Sequence, residues 1–155
     1  ARTYHGGPQA FFGAVHAKLK MLGMTNTVIK EPSGLSPENT STAADLAKLA
    51  QAASHYPEIA DITTNASDVV RMNGRNVVFH NTNRLVGARG WDILLSKTGF
   101  TNEAGRCLIM RIKQAGKSAT LVLLNASGNA SRQADALSLR RLIGGNLSAK
   151  RISIR

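Results

Sequence analysis

Apolar residues recur at helical spacing over the first fifty positions and give way to short apolar runs after residue 75. Phe11, Phe12, Val15, Leu19 and Leu22 form one stripe, which predicts a core-facing helix from Pro8 to about Leu22. Gly6-Gly7 precede it, Pro8 suits the first helical position and Gly23 supplies the stop. A loop of turn formers follows, Glu31 to Asn39. Ser41 or Thr42 then caps a second helix, with Leu46, Leu49, Ala50 and Ala53 as its stripe and Pro57 as its end. Thr42 and Asp45 have capping-box spacing, with Asp in place of the usual Glu.

Residues 58–74 show no clear period, and Asn73-Gly74 marks a turn. Beyond it, Val77-Val78-Phe79 and Ile93-Leu94-Leu95 read as strands. Cys107–Ile112 and Ala119–Leu124 read as two stronger strands joined by a Gly-bearing hairpin turn at Gln114-Ala115-Gly116-Lys117. The continuous apolar run of 119–124 predicts burial on both faces. A last helix is expected from about Arg132 to Ile143, stopped by Gly144-Gly145. Helices, then an antiparallel sheet, then a helix able to pack on it make the class α+β.

The 155 residues suffice for one domain with a core, and 43% hydrophobic against 19% charged content is that of a globular chain. No apolar run reaches the roughly 18 residues of a transmembrane helix. The single cysteine, Cys107, excludes an internal disulfide and a cysteine metal site; within its apolar run it reads as a small buried hydrophobe. A net charge of +11 favours anionic partners, whether nucleic acid, anionic lipid or a carboxylate-rich polymer. The basic residues are scattered, and 5% aromatic content is low for a base-stacking platform.

Candidate chemistry lies at Trp91–Asn102. Apolar residues run directly into Lys97-Thr98-Gly99, which sets a cation, a hydroxyl and a glycine at a strand end. Alternation puts Lys97 and Gly99 on one face and Thr98 on the other, unless the strand bulges. Glycine permits close approach of a substrate backbone. Such an edge could hold an extended peptide by strand addition, its lysine and hydroxyls meeting a carboxylate. Lys-Thr-Gly is one of three signatures of β-lactamases and penicillin-binding proteins.

Four stretches in order resemble the low-molecular-mass penicillin-binding proteins, the D-alanyl-D-alanine endopeptidases and carboxypeptidases. They are Lys20–Thr27; Glu31–Leu35 with Ser41–Leu46; Asn81–Leu85; and Lys97–Gly105. The resemblance spans about residues 8–143 and implies the penicillin-binding transpeptidase-like fold. It further implies that 1–145 form the C-terminal part of a serine D,D-peptidase domain, followed by a basic tail at 146–155. Lys97 resembles the cation that orients the proton relay and the substrate carboxylate. Thr98 and Thr101 resemble hydroxyl donors to that carboxylate, and Gly99 part of the binding edge. The Phe100 N–H resembles half of the oxyanion hole. The family's chemistry implies acyl transfer on peptidoglycan stem peptides or cross-links in the periplasm, with endopeptidase favoured over carboxypeptidase. It also implies acylation by β-lactams, with no cofactor and no metal.

No Ser-x-x-Lys occurs in the sequence, so the nucleophile and its lysine are expected on a missing N-terminal half that packs against this one. Ser127-Gly128-Asn129 follows Lys97-Thr98-Gly99 instead of preceding it, and reads as a turn. His5, His16, His55 and His80 lack metal spacing, although His80 could sit near the cleft. Asp92 and Arg84 read as solvated or structurally paired, and Trp91 as core. The rival reading is a basic module binding nucleic acid or another anionic polymer; the family resemblance implies no nucleic-acid partner.

Overall fold

The computed structural model describes residues 1–145; the expected basic tail at 146–155 lies outside the described residues. Helix α1 (Gly7–Met21) starts after left-handed Gly6 and carries Lys18 and Lys20 in its last turn, where cations complement the helix dipole. Helix α2 (Ala43–Ala53) is capped by Thr42, whose hydroxyl accepts from the Asp45 N–H at 3.2 Å. Pro57 does follow α2, but it also opens a further helix, α3 (Pro57–Thr64). The sequence reading left that helix undefined, because proline is as good an N-terminal residue as it is a stop.

Strands β1 (Ser67–Met72) and β2 (Arg75–His80) form a separate two-stranded hairpin. Asn73 and Gly74 both have positive φ, at 49° and 77°, as a two-residue turn matched to strand twist requires. The main sheet has the order β3 (Asp92–Thr101), β4 (Gly105–Gln114), β5 (Lys117–Ala126), all antiparallel. Ala115 and Gly116 turn β4 into β5 with φ of 51° and 74°. Helix α4 (Asn129–Ile143) closes the described fold. Its first turn begins at Ser127-Gly128-Asn129, and the Gly128 N–H donates to Ser131 Oγ at 3.1 Å. Helices and antiparallel strands are segregated along the chain, as the α+β class requires.

Alternation along β4 sorts the two faces. Leu108, Met110 and Ile112 are buried with Leu121 and Ala136 of α4, and Trp91 and Ile93 pack on this cluster. The opposite face carries Cys107, Ile109 and Arg111. Helix α2 meets it where Arg111 Nη1 donates to Ser54 Oγ at 2.5 Å. Covering of the second face is partial: Leu95, opposite Arg111, is buried, whereas Leu124 is 41% exposed. Burial of 119–124 on both faces is expected only with the missing half in place, and in this chain the second face is left partly open. Helix α1 likewise buries no residue, although its stripe faces the same side.

Candidate active site

A β-bulge decides which way Lys97 points. Ile93 pairs with Ile112, but Leu95 pairs with Arg111, so Leu94 is an extra residue in β3. A one-residue slip moves every later side chain to the other face. Without it, Lys97 would oppose Leu108 in the core. With it, Lys97 pairs with Ile109, Gly99 with Cys107 and Thr101 with Gly105, all on the side away from α4. Ser96 turns inward and is buried, while Lys97 is exposed.

That side opens on a groove of about 810 Å³ between the sheet, α1, α2 and the loop after α1. Lys97, Thr98, Gly99 and Thr101 all line it. Strand β3 is an edge strand, so its other edge has no strand partner among the described residues. Among the described residues the Lys97 ammonium donates only to the Thr98 carbonyl. Thr98 Oγ1 lies 2.6 Å from Thr82 Oγ1, and Thr101 Oγ1 accepts from the Ala104 N–H at 3.0 Å. A Cβ on Gly99 would meet only Cys107 Cβ at 3.9 Å, which is ordinary contact; internal packing does not demand glycine there. The Phe100 side chain points to the other face, 54% exposed, with the Arg106 guanidinium 4.5 Å from its ring centroid.

Asn81-Thr82-Asn83 braces the motif strand from behind. Asn81 Nδ2 donates to the Thr63 and Asn65 carbonyls. Asn83, 2% exposed, donates to Ser96 Oγ at 2.9 Å and to Met110 Sδ at 3.1 Å. Its Oδ1 accepts from the Leu85 N–H. Fully satisfied buried amides of this kind hold a segment in one arrangement.

The loop wall of the groove is organised by two carboxylates: Glu31, which pattern reading did not single out, and Asp45, which it took as half of a capping box. Glu31 accepts from the Ser33 N–H at 2.6 Å, Ser33 Oγ at 2.5 Å, the Leu35 N–H at 2.8 Å, the Ser36 N–H at 3.1 Å and Asn39 Nδ2 at 2.7 Å. The Ser33 hydroxyl and the Ser36 amide above all pull its pKa down to about 2 from an ordinary 4.5. Asp45, 1% exposed, accepts from the Asn26 N–H at 2.8 Å, Thr27 Oγ1 at 2.9 Å and Lys48 Nζ at 3.0 Å. Burial pushes its pKa up, but the Lys48, Asn26 and Thr27 hydrogen bonds together outweigh that and the net shift is downward. The expected capping box is thus only half made, because the Asp45 carboxylate ties the post-α1 segment to α2 instead.

A folded pKa below the unfolded one gives a contribution that is present above pH 4.5 and lost as pH falls towards 2. We expect Glu31→Gln to lower the melting temperature at pH 7, with the gap to wild type closing as pH falls from 5 to 2. Thermal melts across that range check it; a gap independent of pH would mean that the carboxylate charge does not hold the loop.

Other expected residues separate clearly. Cys107 is half-buried and lines the groove; helix α2 meets that face of β4 at Arg111 and leaves the Cys107 end open to the groove, contrary to the buried reading. His16 and His55 are exposed, and His80 is exposed on β2, outside the groove lining. Asp92 and Arg84 are exposed and in no ion pair among the described residues. Trp91 packs against the core, with Arg140 over its ring at 5.0 Å. Arg132, 5% exposed, donates from Nη1 to the Cys107 carbonyl at 3.0 Å. That carbonyl lies where the β4–β5 register shifts, between Arg106 and Leu108. Burial first, then the Arg106 charge, pushes the Arg132 pKa down.

The family model described as "D-alanyl-D-alanine carboxypeptidase" matches residues 1–128. The D-alanyl-D-alanine endopeptidase of Escherichia coli (strain K12) is 46% identical over 145 residues, which are 92% of this chain and 47% of that protein. The chain thus spans about half the length of the curated relatives it matches. Among solved structures, the Streptomyces K15 DD-transpeptidase aligns with a TM-score of 0.79 at 24% identity, over 90% of this chain and 55% of that one; this likeness concerns the fold. Penicillin-binding protein D2 from Listeria monocytogenes, in a cefotaxime-bound form, aligns with a TM-score of 0.71 at 28% identity, over 86% of this chain and 54% of that one.

Proposed function

Because the chain belongs to the D-alanyl-D-alanine carboxypeptidase family, we propose that it supplies the binding strand and groove wall of a serine D,D-peptidase acting on peptidoglycan in the periplasm. The observation that carries this reading is the bulge at Leu94, which turns Lys97 out of the core and into a groove beside a strand edge with no strand partner among the described residues. A solvated strand end needs no such device.

The reaction is acyl transfer. A serine on the Ser-x-x-Lys segment attacks the carbonyl carbon of a D-alanyl peptide bond, and its proton passes through the relay to the leaving amine. The acyl-enzyme is then released by water. Lys97 holds a fixed positive charge beside the relay and the substrate carboxylate. The Thr98 and Thr101 hydroxyls donate to that carboxylate; each has a neighbour within hydrogen-bond reach that fixes its position. Gly99 leaves the backbone open to an extended peptide. The Phe100 N–H and the serine's own N–H receive the developing oxyanion, and one such donor typically contributes about 3 kcal/mol of barrier lowering.

Endopeptidase action on cross-links is favoured over carboxypeptidase action, in keeping with the name and 46% identity of the Escherichia coli relative. β-Lactams acylate the complete enzyme because their strained amide presents a similar carboxylate and carbonyl. The test is intact mass after exposure to a labelled penicillin. The 155-residue chain is expected to gain no adduct, whereas the complete enzyme gains one on the Ser-x-x-Lys serine. A stoichiometric adduct on this chain alone would overturn the division of labour, and none on the complete enzyme would overturn the reading.

A further inference from the structure

Alternation in β3 sets Thr98 opposite Leu108, on the face away from Lys97 and Gly99, yet Thr98 also lines the groove. A threonine side chain has three staggered rotamers, so the place of its hydroxyl depends on what holds it. Among the described residues one group does: Thr82 Oγ1, at 2.6 Å from Thr98 Oγ1. Thr82 is itself exposed but sits on a pinned segment. The Asn81 N–H donates to the Ala66 carbonyl at 2.8 Å, and the Asn81 side chain to the Thr63 and Asn65 carbonyls. On the other side the buried Asn83 donates to Ser96 Oγ, within the motif strand. The Thr82 hydroxyl is thus delivered to Thr98 by a backbone fixed on both sides.

Proton counting gives the contact a direction. A hydroxyl has one proton to donate and two lone pairs to accept with, whereas a carboxylate only accepts. Thr101 shows the pattern in an unambiguous form. Its Oγ1 accepts from the Ala104 N–H at 3.0 Å, a group that can only donate, so its own proton is left for a ligand. Thr98 offers a proton to the same ligand only if Thr82 donates and Thr98 accepts across their 2.6 Å contact. If Thr98 donated to Thr82 instead, its proton would be taken up inside the protein. Among the described residues the Thr82 hydroxyl has no second acceptor to draw its own proton away.

We propose that Thr82 is a positioning residue for the reaction: it donates to Thr98, fixes that hydroxyl as a donor and so tunes the groove for a ligand carrying a carboxylate. The inference rests on the D,D-peptidase reading, in which Thr98 meets the substrate carboxylate. A chain of hydroxyls that ends on an anion strengthens along its length, because each bond polarises the next. Without Thr82, the Thr98 hydroxyl is free to rotate and to turn its lone pairs to the ligand, and part of the preference for an anion is lost.

The test is the rate at which the complete enzyme is acylated by a fluorescent penicillin with a free carboxylate, and by the methyl ester of the same compound. Thr82→Val keeps the branched shape and removes the hydroxyl, whereas Thr82→Ser keeps the hydroxyl. Position 82 is exposed, so both variants are expected to fold. Thermal melting checks this, with Thr82→Ala as a second hydroxyl-free variant expected to behave like Thr82→Val. We expect the free acid to acylate Thr82→Val about five- to tenfold more slowly than wild type and Thr82→Ser at nearly the wild-type rate. The ester should react with Thr82→Val as it does with wild type. In a Thr98→Val background, Thr82→Val should cost less than about a further twofold, since a residue acting through another loses its effect once that other is gone. Wild-type rates in Thr82→Val, equal losses for acid and ester, or losses that multiply with those of Thr98→Val would each overturn the proposal. Failure of the complete wild-type enzyme to react with the free acid would overturn the D,D-peptidase reading itself, a result that no Thr82 variant can mimic.

Discussion

Replacing Lys97 by alanine in the complete enzyme is expected to slow acylation by a β-lactam at least about a hundredfold and leave the fold intact. The magnitude follows from what a preorganised charge or donor contributes at a reacting centre, commonly a factor of about 10²–10³. Folding should be indifferent for a separate reason. Lys97 is exposed, and among the described residues its ammonium meets only the neighbouring Thr98 carbonyl. Removing it opens no cavity and strands no buried partner, and such surface changes stay within about 0.5 kcal/mol. For a domain of this size that is about 1–2 °C in melting temperature. Stopped-flow acylation with a chromogenic cephalosporin, paired with a thermal melt, separates the two effects. Acylation within a few-fold of wild type in a folded variant would show that the Lys97-Thr98-Gly99 edge is an ordinary strand end. A large loss accompanied by unfolding would show instead that Lys97 is structural.

Much of this arrangement was legible because local chemistry and tertiary structure agree. Gly6-Gly7-Pro8 and the stripe of α1, the Thr42 cap, and the Ala115-Gly116 turn each have one physical reading, and the structure uses it. The motif strand was legible as a strand but not in phase. Ile93-Leu94-Leu95 is apolar at every position, so either alternation fits, and only the pairing with Ile112 and Arg111 shows that Leu94 is the extra residue. Pro57 was ambiguous because the same ring that ends one helix begins another. Asp45 and Glu31 were misread or passed over, since their partners, from Asn26 and Thr27 to Asn39, are set by how the loop folds back and not by spacing. Asn81-Thr82-Asn83 stands out in the sequence only as a family likeness. Its signal was available: two amides beside the motif strand's predecessor can satisfy only backbone or buried polar groups, and they do so at Thr63, Asn65 and Ser96. Cys107 reads as buried because its neighbours are apolar, yet Leu108 and Cys107 lie on opposite faces, and the second face is covered at Leu95 and Arg111 but open at Cys107.

The open end of that face carries the remaining large effect. The isolated chain is expected to bind a hydrophobic dye and to self-associate, and to gain about 5–10 °C in melting temperature when the Ser-x-x-Lys segment is added near a hundredfold above its dissociation constant. The groove is bordered by Phe11, Val15 and Leu19 of α1, Leu46 and Leu49 of α2, and Ile109 and Leu124 of the sheet. No α1 residue is buried, so that helix faces the groove without packing across it. An amphipathic helix gains most of its stability from burying its stripe, and here the stripe has no apolar layer against it. A ligand that binds only the folded state at a hundred times its dissociation constant stabilises by about 2.7 kcal/mol, and each kcal/mol corresponds to about 2–4 °C at this chain length. Because α1 and the sheet face each other across about 810 Å³, one inserted segment would complete both surfaces together. The stabilised species should therefore melt in one transition, whereas the chain alone should lose α1 before the β3–β5 sheet. Differential scanning calorimetry and sedimentation velocity, with and without the added segment, measure both outcomes. A monodisperse monomer that binds no dye, melts in one transition and gains nothing from the added segment would mean that the groove is a finished solvent-filled cleft, and that Lys97 faces water and not a nucleophile.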